Sequence, residues 1–288
     1  TTNEHGARFV ANVSSQGTVQ WAQILPGPGP AITAVTTLAE TGGFYFASSC
    51  PPDATFPGVS RSGNTNHWGA VVKMRADGSV SWAKSFAEGR FYVRKLIADR
   101  EDSLYASLEA WAPIKLTNGD TVGADGLELA VAKLTSGGDV VWVFRVPCGG
   151  GGQRNDAVTD LAVSSTREVV LVGHAGSGTT FGDRRFVTKG QNDVFIAKLN
   201  ADGKLMWLSQ CGGRSHDSAS RVVLDDEDSV FVTGGFQDEA RFGETALKAE
   251  SNDMYLTKLD SGGRFVWAQR FGGAGYDLAL GLALNGKS

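Results

Sequence analysis

The sequence predicts an all-β protein built from a repeated four-stranded antiparallel unit, and three observations predict it. A 22-residue phrase is written twice, NDVFIAKLNADGKLMWLSQCGG at 192–213 and NDMYLTKLDSGGRFVWAQRFGG at 252–273, with Asn, Asp, Lys, Leu, Gly, Trp and the closing Gly-Gly in register. Aligned on tryptophan, weaker copies bring the count to five, at Trp21, Trp82, Trp142, Trp207 and Trp267, spaced 61, 60, 65 and 60 residues apart. A period of that size marks an array or ring of similar structural units. The third observation is compositional: 38 glycines against three methionines, with no stretch holding a helical period over three turns, point to short strands between tight turns.

Each element of the unit can be justified in order. Strand A is the run RVVL (221–224), followed by the turn DDEDS (225–229) and strand B, VFVTGG (230–235). A long connection leads to strand C, represented by VFIAKL (194–199), which turns through Asn200 to Gly203 into strand D, LMWLSQ (205–210). Glycine four residues before each repeat tryptophan (Gly17, Gly78, Gly138, Gly203, Gly263) supplies the positive φ that ends a type I turn with a bulge. Nine residues before the tryptophans stand Asn12, Lys73, Lys133, Lys198 and Lys258. The B-to-C connections, roughly 50–68, 111–127, 174–191 and 236–252, are expected to be loops free of the hydrogen-bond ladder. Strands apolar on both faces need cover on both sides, which neighbouring blades of a β-propeller provide, and the recurring tryptophan fits the wedge between blades. The expectation is therefore a single β-propeller domain over 1–288, about five repeats of four-stranded antiparallel blades. The chain enters at a strand C (Arg8 to Val13) and leaves in the turn after a lone strand A, at Gly286-Lys287-Ser288, so part of a larger propeller is expected.

The pattern D-x-[FY]-[IL]-x-K-L-x-x-x-G-x-x-x-W-x-x-x-x-G-G-x-x-x-D, matched from Asp193 to Asp217 and from Asp253 to Asp277, resembles the bacterial seven-bladed-propeller-type (SBBP-like) repeat family. The pairs Phe181-Gly182 and Phe242-Gly243 add to the likeness. Residues 6–25, 68–87 and 128–147 depart from it: Trp68 and Glu128 stand in place of the leading Asp, and Asn12 in place of Lys. The resemblance implies a propeller in a secreted or cell-surface protein and implies no chemistry. G-x-x-x-W also resembles the tryptophan-docking motif of quinoprotein propellers, but their adjacent cysteine pair is missing here. The Asp-box of sialidases differs in spacing, since Asp77-Gly78 and Asp202-Gly203 are adjacent.

Charge and motifs narrow the function. A net charge of −4 leaves no basic face for nucleic acid or for anionic membranes, and no apolar run approaches the ~18 residues of a membrane helix. The histidines His5, His67, His174 and His216 never fall at ligand spacing with each other or with cysteine, so no metal site is expected. Glycine runs at 149–152 and 173–178 lack Gly-Lys-[Ser/Thr] and read as loops, so no cofactor is expected either. Asp225, Asp226, Glu227 and Asp228 read as a solvated turn. Of the cysteines Cys50, Cys148 and Cys211, the pair expected to bridge, if any does, is Cys148 with Cys211.

No catalytic residues are singled out. The candidate binding residues are Trp68 and Trp111 with Arg61 and His67, in the B-to-C connections, and Asp156, Asp217 and Asp277, each opening a strand A after a glycine-rich passage. The tryptophans suit stacking on sugars or anchoring a protein. The three Asp residues either hold a cationic group or accept hydrogen bonds from their own loops. The function expected is a non-catalytic extracellular or cell-surface module that binds a glycan or a protein through its loop-rich face. The alternatives are a propeller hydrolase or lyase acting on carbohydrate, and a structural spacer of a larger extracellular assembly.

Overall fold

The computed structural model describes residues 9–24, 31–38, 42–50, 68–85, 87–88, 91–123, 126–149 and 156–285. The chain divides into two compact units, 1–126 with 131–143, and 127–130 with 144–288. Every described element is a β-strand.

In the first unit β1 (Phe9–Val13) pairs with β2 (Val19–Ile24). The strands β3 (Ala31–Thr37), β4 (Phe44–Cys50), β5 (Trp68–Met74) and β6 (Val80–Lys84) follow as an antiparallel sheet in sequence order. Next come β7 (Ala87–Glu88), β8 (Phe91–Ala98), β9 (Leu104–Ala110), β10 (Ile114–Leu116), β11 (Thr121–Val122), β12 (Glu128–Leu134) and β13 (Val140–Pro147). Of these, β8-β9-β12-β13 form a four-stranded sheet and β7-β10-β11 a small one beside it. The boundary between the two units passes through β12 and β13.

The second unit continues with β14 (Ala157–Val163), β15 (Val169–Gly176), the short hairpin β16 (Thr180–Phe181) and β17 (Arg184–Arg185), then β18 (Asn192–Leu199) and β19 (Leu205–Gly213). It ends with β20 (Ser218–Leu224), β21 (Val230–Phe242), β22 (Thr245–Leu259) and β23 (Phe265–Phe271). The sets β14-β15-β18-β19 and β20-β21-β22-β23 are joined where Gly212 and Gly213 pair with Arg241 and Ala240. Between them lies a core of Val170, Val172, Val194 and Ile196 against Val222, Val230, Val232 and Tyr255. Strand β18 is buried along its whole length, so both its faces are covered.

The offsets in the repeat now have physical causes. Trp82, Trp207 and Trp267 pair directly across the hairpin with Lys73, Lys198 and Lys258, and Trp21 with Asn12, so the nine-residue offset is a strand register. Those lysines reach acids of the A-to-B turns: Lys73 to Asp102 at 3.3 Å, Lys198 to Glu168 at 2.6 Å and Lys258 to Asp225 at 3.5 Å. The tryptophans reach forward into the next repeat. The indole Nε1 of Trp21 donates to Ala76 O (2.7 Å), that of Trp82 to Ser136 O (3.0 Å) and that of Trp207 to Ser261 O (3.0 Å). Each acceptor lies two residues before the turn glycine of the following repeat. A Cβ on Gly78, Gly138 or Gly263 would stand 2.7, 2.8 or 2.6 Å from the indole, and each glycine has φ near +84. The motif glycine is thus required twice, by its own turn and by the ring laid on it from the repeat before.

Three expectations change. The connections 236–252, 174–191 and 111–127 are not free loops: β21 and β22 run on to a turn at Gly243, 174–191 carries the β16–β17 hairpin and 111–127 carries the β10–β11 pair, while 51–67 of the connection 50–68 lie outside the described residues. A bulge between Gln237 and Glu239 lets the β21–β22 pair twist without losing its ladder. The FG pairs sit at the tips of these arms, where Phe181 packs on Phe195 (4.8 Å between centroids) and Phe242 on Tyr255 (4.7 Å). The acidic turn is not merely solvated, since Asp225 is buried, accepts from the Ser229 and Glu227 N–H groups and meets Lys258. Cys148 and Cys211 are both free thiols, each pushed up from the usual range by burial.

Candidate functional site

The sequence candidates divide sharply. Arg61 and His67 lie outside the described residues. Trp68 opens β5 opposite Cys50, and Trp111 follows β9, half-buried. Asp156 is buried and accepts from Gly176 N (2.9 Å) and Thr179 Oγ1 (2.6 Å). Asp217 accepts from Gly213 N (2.7 Å) and Asp277 from Gly273 N (3.0 Å), so all three carboxylates bond their own neighbourhood.

What the sequence left unpaired is the other end of the motif. The leading and closing aspartates, 24 residues apart, meet. A Cβ on Gly212 would lie 2.8 Å from Asp217 Oδ2 and 2.9 Å from Asp193 Oδ1, and one on Gly272 would lie 2.7 Å from both Asp277 Oδ2 and Asp253 Oδ1. Both glycines hold φ near +150, so only glycine leaves room for the two carboxyls and adopts this backbone. Asp193 and Asp217 are 0% and 1% exposed. Asp193 Oδ2 accepts from Gln210 Nε2 (2.6 Å) and Lys189 N (3.2 Å). Burial, then the negative charges of Asp193 and Asp238, push the Asp217 carboxyl up to about 7 against the N–H groups of Gly213 and Gln237.

In front of Gly212 opens a cavity of about 640 Å³, walled by Gly212, Gly213 and the charged side chains of Lys189, Arg214, Asp238, Glu239 and Arg241. These come from the passage before β18, the passage after β19 and the arm of β21. Asp238 sits at the bulge with φ 57 and accepts from Ser215 Oγ, which fixes the arm to the passage after β19. Nothing in the repeat pattern pointed to this site: its five charges lie on three segments that the repeat does not place together. The available signal was Arg214 after Gly-Gly and the DEAR run at 238–241, inside a connection read as a loop.

The cavity can hold a polar or charged group between three cations and two carboxylates. It offers no exposed nucleophile with a histidine partner among the described residues, and the perturbed carboxyls stand behind Gly212. A second hollow, about 530 Å³, lies beside β1 and is mostly apolar, lined by Val10, Ile32, Val35, Leu38 and Phe44 among others.

No family model and no curated protein matches the chain. Among solved structures it is similar to a protein of unknown function from Bacteroides caccae, at 9% identity, covering 92% of this chain and 94% of that one with a TM-score of 0.44. It is also similar to the β-propeller domain of Swd1 (Cps50) from Myceliophteria thermophila, at 11% identity, covering 91% and 79% of the two chains with a TM-score of 0.41. At this level of likeness neither neighbour bears on what the chain does.

Proposed function

We propose that the chain is a β-propeller of four-stranded blades, akin to the SBBP-like repeats, and that it serves outside the cell as a non-catalytic module binding a glycan or a protein. The observation that carries the reading is the charged cavity before Gly212. It is held by a bulged arm fixed at both ends of its contact, as a preformed binding site should be. Three cations and two carboxylates on its wall suit a partner with charged or many hydroxyl groups. The Trp-to-glycine contacts between consecutive repeats and the consecutive strand order of the sheets support the propeller arrangement.

A carbohydrate-cleaving enzyme is the second reading, and one observation favours it: two aspartates converge and one has its carboxyl near 7, a value suited to a general acid. Their burial weighs against it, because an acid catalyst must touch its substrate. A glycan-array and pull-down screen, with hydrolysis and elimination assayed on each hit, tests the two together. Saturable binding without turnover is expected, and turnover that is lost in Asp217→Asn overturns the binding-only reading.

A further inference from the structure

The second unit carries three copies of the motif's leading acid, Glu128, Asp193 and Asp253, and what faces that acid differs among them. The residue three after the repeat tryptophan faces the leading acid. Arg145 grips Glu128 through Nε (2.6 Å) and Nη2 (2.8 Å), and Arg270 Nε stands 3.2 Å from Asp253 Oδ2. In the middle copy that place is taken by Gln210, a neutral amide. The Asp193–Asp217 corner therefore has the same two carboxyls as its neighbour at Asp253–Asp277 but lacks the guanidinium.

We propose that a single proton, shared between Asp193 and Asp217, takes the place of the missing arginine, and that its loss loosens the joint between β19 and the β21 arm. Two oxygens with no hydrogen-bond partner support this. Oδ1 of Asp193 and Oδ1 of Asp217 are both fully buried and unpartnered among the described residues, and Asp193 Oδ1 is one of the two carboxyl oxygens packed on Gly212; in the neighbouring corner Asp253 Oδ1 is left the same way, but only the middle corner has such an oxygen on both of its carboxyls. Two buried carboxylates packed on the same glycine cannot both ionise cheaply, and a proton on one relieves the repulsion between them.

The remaining charges around the corner do not remove the need for it. Lys189 is exposed; its main-chain N–H donates to Asp193, and its charge pulls Asp193 down by less than burial raises it. Asp238 on the arm adds negative charge. Arg214, Glu239 and Arg241 line the cavity on the outer side of Gly212. Cys211 and Tyr255 are buried beside the pair as neutral groups, and burial pulls His216 below its usual value, keeping it uncharged at neutral pH.

The sign follows from the direction of the shift. A carboxyl raised by folding holds its proton more tightly in the folded state. The stability it contributes is complete below the unfolded value near 4 and is lost as pH rises toward about 7. Above that, two negative charges face each other behind Gly212, where Gly212 pairs with Arg241 and Gly213 with Ala240. Closure of the cavity wall is then weakened by alkali. This consequence for a ligand rests on the binding function proposed above, whereas the titration does not.

The test is a carboxyl 13C NMR titration of the intact chain from pH 4 to 9, with Asp217→Asn used for assignment. One aspartate titrating near 7 is expected, with the unfolding constant rising about tenfold per pH unit between 4 and 7. Gln210→Arg, which restores the neighbour's cation, should bring both carboxyls below 5 and flatten the pH dependence. Asp193 and Asp217 both titrating below 5 in the wild type overturns the proposal, as does a near-neutral titration that Gln210→Arg leaves in place. A saturable, calcium-dependent shift of the same resonances would overturn it in favour of a metal cation.

Discussion

Replacing Gly263 by alanine tests the contact between consecutive repeats from its less obvious side. The perturbation has two parts. At φ +84 any L-residue other than glycine is strained, by about 1–2 kcal/mol. The added methyl would also stand 2.6 Å from Trp207 Cδ2 and 3.0 Å from Ser209 Oγ, so the indole must lift from its seat and stretch its 3.0 Å hydrogen bond to Ser261 O. Overpacking of this kind costs about 1–3 kcal/mol, and a weakened hydrogen bond about 1 more. The total expected is about 3–6 kcal/mol. Gly17 provides the control: it occupies the same motif place with φ +81, but nothing lies within 4 Å of its Cβ position among the described residues. Gly17→Ala should therefore cost only the backbone part, about 1–2 kcal/mol. Urea denaturation of both variants, repeated for Gly263→Ala in a Trp207→Ala background, separates the parts, because without the ring the methyl has nothing to strike. Equal losses at Gly17 and Gly263, or no coupling between Gly263 and Trp207, would refute the forward docking of the tryptophans.

Thermal melts of Trp21→Ala, Trp82→Ala and Trp207→Ala should show losses of about 3–5 kcal/mol each. Trp267→Ala should lose less, because its indole N–H has no protein acceptor among the described residues; a loss equal to that of Trp207→Ala would contradict this. Melting midpoints should fall as pH rises from 4 to 7, by the equivalent of about 4 kcal/mol if the Asp217 proton acts alone, and Asp217→Asn should abolish most of that slope. Lys198→Met strips the buried ammonium from Glu168 and should cost about 3 kcal/mol by chemical denaturation, the lower end for a buried pair because Glu168 keeps some water; a neutral result would mean that the lysine is held for register rather than stability.

The hairpins were the most legible part of the fold. A turn glycine at fixed distance from a tryptophan dictates a bulged turn, and the residue nine before the tryptophan is its cross-strand partner, as Lys198 opposite Trp207 illustrates. The arms were not legible, for a physical reason. In 236–252 the alternation is broken by the bulge at Asp238, and its polar residues look like a loop although Phe236, Ala240 and Phe242 all point into the core. The tryptophan's role as filler was foreseeable, but its acceptor was not, since the bond spans 54 residues to Ser261. The acidic corner was half legible. Asp193 and Asp217 are the two ends of one motif, yet only their meeting over Gly212 shows why both are there, and why Gln210 in place of arginine matters. The charged cavity draws on Lys189 and the β21 arm, outside the motif, and on Arg214 at one of its variable positions, and a repeat alignment averages such residues away.

The most direct test of the central claim is a calorimetric titration of the strongest glycan or protein hit into the wild-type chain and into Arg214→Ala/Arg241→Ala, with the ligand recovered afterwards and checked for cleavage. Saturable binding by the wild type is expected, with at least tenfold weaker binding by the double variant, an unchanged melting profile and ligand recovered intact. Equal affinity in both proteins, or cleaved ligand from the wild type, would contradict it.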